Sequence, residues 1–300
     1  MGNCNSNQNN SKSVISELTY EQFVKSFGDE NVETADVVLG IDATKSNEWA
    51  DPSNHFLSEQ YNVYERVIVG LIKTFNVDSD SIIPLYFFGS EQANKYGGVL
   101  HAGDFLVKNG NPLKLIEGYR NSICTQTLSG PTRLTPLLEK VSQEVEKTKK
   151  YTILIIITDG AINAEYIEQD KKTLVDISKL PLAVTSVGIG NGNFDAMESF
   201  DDMRGREIDN FQFTKMNDCL KKTKEETEKN LWHKCLMEIP EHHRKCVKKL
   251  GYKDPVNNYR LELESKAMQS QSQVPQYLPA SAPLPYNPLA FPSKNPPSYQ

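Results

Sequence analysis

Residues 151–160 read YTILIIITDG. Ile153 to Ile157 is an unbroken apolar run rich in β-branched side chains, and it stops abruptly at Thr158-Asp159-Gly160, which are turn residues. Unrelieved apolarity over this length predicts a strand buried on both faces, as in a parallel sheet. Upstream, residues 35–41 (ADVVLGI) repeat the pattern and end in the polar loop Asp42-Ala43-Thr44-Lys45-Ser46. From Phe56 to Phe75 the period changes: Tyr61, Tyr64, Val67, Ile68, Leu71, Ile72 and Phe75 recur at helical spacing. Residues 81–88 (SIIPLYFF) predict another strand, with Pro84 placing it at an edge or a bulge. Leu113 to Ser122, Leu134 to Thr148 and Glu165 to Lys179 read as helices, and Leu182 to Val187 and Phe211 to Phe213 as strands. Asp218 to Glu238 reads as a closing helix stopped by Pro240. Strands alternating with helices predict an α/β fold with a doubly wound, mostly parallel sheet and helices on both faces.

The 300 residues are 38% apolar and 24% charged, with a net charge of −6. The apolar share falls below the usual ~45–50% of globular domains because the ends are polar. The expected organisation is therefore a flexible segment over 1–13, one domain over 14–255, and a disordered Pro/Ser/Gln-rich tail over 256–300. No apolar run approaches the ~18 residues that a spanning helix needs. Net acidity without a basic stripe argues against nucleic acid as a partner. The five cysteines (Cys4, Cys124, Cys219, Cys235 and Cys246) are odd in number and form no C-x-x-C pair. Together with the lack of an apolar signal segment, they indicate a reducing, cytosolic compartment.

In a doubly wound sheet, polar ligands gather beyond the carboxyl ends of the strands. Three loops there carry matched chemistry: Asp42 to Ser46, Gly130-Pro131-Thr132, and Thr158-Asp159-Gly160. Oxygen donors without His or Cys suit a hard cation such as Mg2+, Ca2+ or Mn2+. Each loop taken singly is better explained by caps and Asx-turns, whereas all three at one sheet edge favour a site.

Those loops carry a family resemblance. The D-x-T-x-S run at Asp42, the GPT at Thr132 and the IITDG ending at Gly160 resemble the metal-ion-dependent adhesion site of von Willebrand A-type domains, a Rossmann-like fold. The segments RLTPLLEKV, SKLPLAVTSVGIGNGNFDAM and LMEIPEHHRKCVKKLGY resemble the copine version, over about Leu18 to Tyr252. By that resemblance Asp42, Thr44, Ser46, Thr132 and Asp159 are the metal set. Most copines carry two calcium-binding C2 domains before this module, for which this sequence has no room, so calcium-driven membrane docking is not expected. A plant group resembling this chain adds an acylated N-terminus and a C-terminal RING that makes it a ubiquitin ligase. No Cys or His follows Cys246, so intrinsic ligase activity is not expected.

Other constellations are weaker. His233, Cys235, His242, His243 and Cys246 lack the close Cys pairs of a zinc turn, and two helices with buried cysteines account for them better. Gly188 to Gly192 lacks the full dinucleotide fingerprint and reads as a strand–helix connection. Ser90 and Ser129 sit in no nucleophile elbow. Asp42 with Thr44 also resembles an aspartyl-phosphate phosphotransferase, with Asp42 as nucleophile and Asp159 as a magnesium ligand, but Ala161 to Ala164 supply no further acidic pair.

The termini suggest recruitment. Met1-Gly2-Asn3-Cys4-Asn5-Ser6 fits the myristoylation pattern at Gly2, with Cys4 a natural palmitoylation site, because one acyl chain anchors only marginally. Eight of the 16 prolines lie between Pro275 and Pro297, and Pro296, Pro297 and Tyr299 form P-P-x-Y, a ligand for WW domains. The expected function is a non-enzymatic, membrane-tethered adaptor in signalling or trafficking, binding a divalent cation and a protein that offers an Asp or Glu carboxylate. It would sit on the cytosolic face of the plasma membrane or an endomembrane, with a soluble cytoplasmic or nuclear pool. The alternative is a non-catalytic accessory of the ubiquitin system that recruits WW-domain partners.

Overall fold

A computed structural model of the chain describes residues 19–30, 32, 35–74 and 81–253. Strands β1 (Asp36–Asp42), β2 (Ser81–Phe88), β3 (Val99–Val107), β4 (Thr152–Thr158), β5 (Leu182–Gly188) and β6 (Phe211–Lys215) form one sheet in the order β3-β2-β1-β4-β5-β6. All neighbours run parallel except β2 and β3. The helices are α1 (Tyr20–Asp29), α2 (Ser46–Ala50), α3 (Val63–Thr74), α4 (Glu91–Lys95), α5 (Leu113–Ile123), α6 (Thr135–Thr148), α7 (Ile167–Ile177), α8 (Asp195–Asp201), α9 (Lys224–Leu236) and α10 (Ile239–Leu250). This is the doubly wound α/β arrangement that the alternating pattern predicts.

The two-sided burial of β4 has a direct structural cause. Ile153, Ile155 and Ile157 join one core with Leu39 and Ile41 of β1 and residues of α1, α3, α5, α9 and α10. Leu154 and Ile156 join a second core with Val38 and residues of α6, α7 and α8. Each fully buried Leu or Ile contributes about 1.5–3 kcal/mol relative to exposure, so two covered faces hold the sheet rigid where its loops begin.

Three expectations need correction. Pro84 lies in an interior strand, because β2 is flanked by both β1 and β3. It is accommodated just ahead of the parallel pairing that starts at Leu39↔Leu85, and the bulge opposite Ala102 falls between Leu85 and Tyr86. The helix expected from Phe56 begins only at Val63. Asn62 and Glu65 cap each other there: Asn62 N–H donates to Glu65 Oε2 at 2.8 Å, and Glu65 N–H donates to Asn62 Oδ1 at 2.9 Å. Pro240 separates two helices, as the reading of two helices with buried cysteines expects, and sits in the first turn of the second, α10, where its missing N–H costs nothing. The preceding helix starts at Lys224 rather than Asp218, under a capping box of Thr223 and Glu226. Cys235 and Cys246 are buried in these two helices, as expected.

Candidate metal centre

The sheet order reverses direction between β1 and β4, and the crevice beyond their carboxyl ends is where doubly wound folds place ligands. Register carries Asp42 and Asp159 there together: Ile41 pairs with Ile157, so the chains leave the sheet side by side. Asp42 is the last residue of β1, and Asp159 follows β4 immediately.

Four of the five expected ligands form one hydrogen-bonded chain. Thr44 donates to Asp42 Oδ1 through its amide at 2.8 Å and its hydroxyl at 2.6 Å. Thr44 Oγ1 and Ser46 Oγ are 2.8 Å apart, and Ser46 Oγ donates to Asp159 Oδ1 at 2.8 Å. The backbone of Thr132 is held by Asn163, and that of Ser129 in the same loop by Lys45. Lys45 N–H donates to Ser129 O at 2.6 Å, Asn163 N–H to Thr132 O at 3.0 Å, and Thr132 N–H to Asn163 Oδ1 at 2.8 Å. Among the described residues no hydrogen bond ties the Thr132 hydroxyl to the other four side chains.

Both carboxylates are buried although their loops lie at the sheet edge: Asp42 is 0% and Asp159 2% exposed. Burial raises both carboxyl pKa values above the usual carboxylate range, and Asp42 adds its charge to push Asp159 up to about 7. Hydroxyl donors only partly offset this for Asp42. Asp159 Oδ2 is buried with no hydrogen-bond partner among the described residues. Two adjacent buried carboxylates, one with an unused oxygen and both linked to hydroxyls whose lone pairs can turn, form a donor set suited to a hard divalent cation.

Several supporting residues lie outside the expected ligand set. Thr158 Oγ1 donates to Asp42 Oδ2 at 2.6 Å. The Asp42 carbonyl is held by His55 Nε2 at 2.9 Å and by the Tyr64 hydroxyl at 3.2 Å. His55 stacks on Tyr64 at 4.2 Å, its Nδ1 lies 2.8 Å from Tyr119 Oη, and burial lowers its pKa to about 4, which keeps the ring neutral. Asn47 links Tyr64 to the loop, accepting from the Tyr64 hydroxyl at 2.7 Å and donating to Thr44 O at 3.3 Å. The Gly188–Gly192 connection also contributes. A Cβ on Gly192 would overlap the Asp159 carbonyl oxygen, so only glycine lets this loop pack there.

The copine family model matches residues 53–254. The chain belongs to the copine family. It is 30% identical over 292 residues to the E3 ubiquitin-protein ligase RGLG1 of Arabidopsis thaliana, covering 88% of this chain and 60% of that protein. It is 32% identical over 250 residues to RGLG2 of the same plant, covering 76% and 53%. The chain thus spans little more than half the length of these two relatives. Copine family protein 2 of Caenorhabditis elegans is 30% identical over 244 residues, covering 78% of this chain and 3% of that protein. Among solved structures, the manganese-loaded TRAP protein of Plasmodium vivax aligns with a TM-score of 0.42 at 18% identity, over 62% of this chain and 70% of that one. Mussel proximal thread matrix protein 1 with a zinc-occupied MIDAS motif aligns with a TM-score of 0.42 at 18% identity, over 69% and 46%. The metals in those two descriptions belong to those proteins.

Proposed function

We propose that this copine domain is a protein-binding module that depends on a divalent cation held by Asp42, Thr44, Ser46, Thr132 and Asp159. The observation that carries this reading is the partnerless buried Asp159 Oδ2 beside Asp42, at the point where the sheet order reverses. The cation, when bound, supplies positive charge that accepts a carboxylate oxygen from a partner. The chain's own residues hold the two carboxylates together, and Thr158 fixes Asp42 Oδ2 while Ser46 fixes Asp159 Oδ1. With only two carboxylates among the five ligands, the protein neutralises a divalent ion without excess charge. An Asp or Glu from a protein partner then strengthens ion binding, and the ion strengthens partner binding by the same factor. Thermal melts test the site. Mg2+ or Mn2+ raises the wild-type melting temperature and leaves that of Asp42→Asn unchanged; no shift in the wild type contradicts the reading.

The phosphotransfer alternative gains no support from the geometry, since Thr44 and Thr158 donate to both oxygens of Asp42. Membrane tethering through Gly2 and Cys4 is part of the proposal and rests on the sequence pattern, as those residues lie outside the described ones. It places the module on the cytosolic face of a membrane. Cell fractionation of wild type and Gly2→Ala checks it, and equal partitioning into the soluble fraction contradicts it. A second reading, a non-catalytic accessory of the ubiquitin system, is favoured by the names of the plant relatives. Pro296, Pro297 and Tyr299, also outside the described residues, would then recruit a WW-domain protein. An unchanged WW-array profile for Tyr299→Ala contradicts that role.

A further inference from the structure

Among the described residues nine large apolar side chains are exposed, and three of them, Trp49, Phe56 and Tyr61, fall in the single stretch between the end of β1 and the start of α3. Tyr61 is already engaged, with the Arg120 guanidinium over its ring at 6.0 Å. Trp49 and Phe56, 77% and 65% exposed, have no ring or cation partner among the described residues. Both are tied to the metal loops. Trp49 stands three residues after Ser46 in α2, which places the two Cβ atoms about 5–6 Å apart on one helix face. Phe56 directly follows His55, whose Nε2 lies 2.9 Å from the Asp42 carbonyl, while Asn54 donates to Asn47 Oδ1 of α2 at 3.3 Å. The intervening turn is fixed by Asp51 Oδ1, which accepts from the Ser53 amide at 2.9 Å and its hydroxyl at 2.7 Å.

Scattered apolar side chains on a surface are ordinary, but two unpartnered aromatic rings beside one ligand loop form a patch, and Trp is among the residues that most often carry interface energy. We propose, on the reading of the metal centre given above, that Trp49 and Phe56 are the apolar rim of the partner site, selecting a lone Asp or Glu with a bulky aliphatic or aromatic residue one or two positions away. Reach supports this occupant. An extended peptide advances about 3.3 Å per residue, so with its carboxylate at the ion its near neighbours lie over the first turn of α2, where they meet Trp49. Charge narrows the choice further. Asp51 is exposed two residues after Trp49 and has no cationic partner among the described residues, so a second carboxylate beside the first meets like charge. The same acidic residue makes an anionic bilayer a poor occupant of this rim.

The chain carries its own reporter, because Trp49 and Trp232 are the two tryptophans and Trp232 is fully buried. An array of short peptides with a central Asp and varied flanks is probed with the full chain, in Mn2+ and in EDTA, beside calorimetry of Mn2+ alone. In Mn2+ only, the wild type captures peptides with Leu, Ile, Phe or Tyr near the Asp, and rejects those with a second acidic residue there. Iodide, which reaches only the exposed Trp49, quenches its fluorescence less once a captured peptide is added. Trp49→Ala lowers capture by about tenfold or more and erases the apolar preference, whereas Trp49→Phe retains the preference. Both variants keep the wild-type Mn2+ affinity and melting temperature, since the side chain is exposed and is no ligand to the ion. Mn2+ heat in the wild type with no peptide capture, or with capture indifferent to the flanks, overturns the rim and leaves the metal centre standing. Capture unchanged in Trp49→Ala overturns it too. So does iodide quenching relieved by phosphatidylserine vesicles but not by peptide, which would assign the rings to a bilayer. No Mn2+ heat at all removes the metal centre and the rim together.

Discussion

Thr158 shows how much a single hydroxyl does at the metal centre. It is fully buried, donates to Asp42 Oδ2 at 2.6 Å, and accepts from the Gly160 amide at 3.2 Å. Thr158→Val keeps the volume and β-branching but leaves both partners without it, which costs about 1–3 kcal/mol of stability. Metal affinity falls as well, because Asp42 loses the contact that orients it. Denaturant unfolding and metal titration of the variant check both outcomes, and wild-type values in both contradict the role. The Asp42, Thr44, Ser46 and Asp159 cluster was legible in the sequence because its members lie two residues apart or in one turn motif. Thr158 lies inside that same motif, yet a threonine ending a strand is ordinary for β-propensity, so its second role is visible only in three dimensions. His55 and Tyr119 are similar: 64 positions separate them, and only the fold brings their polar atoms to 2.8 Å.

At the scale of elements, α10 turns His242, His243 and Cys246 inward and leaves Arg244, Lys248 and Lys249 exposed. His242 is 3% exposed, and its Nδ1 lies 2.7 Å from Tyr151 Oη, just ahead of β4. Burial, helped by the charges of Lys245, His243 and Arg206, lowers its pKa from the ordinary 6.5 to about 3. Between those values the unfolded chain takes up a proton that the folded one refuses, so stability falls as pH drops from about 6.5 towards 3, by at most about 1.4 kcal/mol per pH unit. His242→Gln flattens that part of the profile in denaturant melts run across pH, and an unchanged slope contradicts the assignment. The sequence disclosed α10 only as a helix following Pro240, since a histidine pair beside a cysteine looks alike whether buried or solvated. The strand β3 was not legible either. Its residues VLHAGDFLV mix polar and apolar positions because it is an edge strand, half-covered and antiparallel, with Ala102 displaced by the bulge. The interior strands β1, β4 and β5 were legible for the opposite reason, being buried on both faces.

At the scale of the whole molecule, one edge of the sheet carries the chemistry. Parallel strands deliver Asp42, Asp159 and the Gly188–Gly192 connection to that edge, while two cores keep it rigid behind them. Oxygen ligands converge on rigid strands at a topological reversal, and a single metal site there requires Asp42, Thr44, Ser46, Thr132 and Asp159 to act together. Calorimetric titration of Mn2+ into the wild type, Asp42→Asn, Ser46→Ala and Thr132→Ala tests it most directly. The expected result is a single binding event in the wild type, its loss in Asp42→Asn, and weaker single events in the two hydroxyl variants, with each variant still folded. No metal-dependent heat in the wild type, or the same heat in Asp42→Asn, would contradict it.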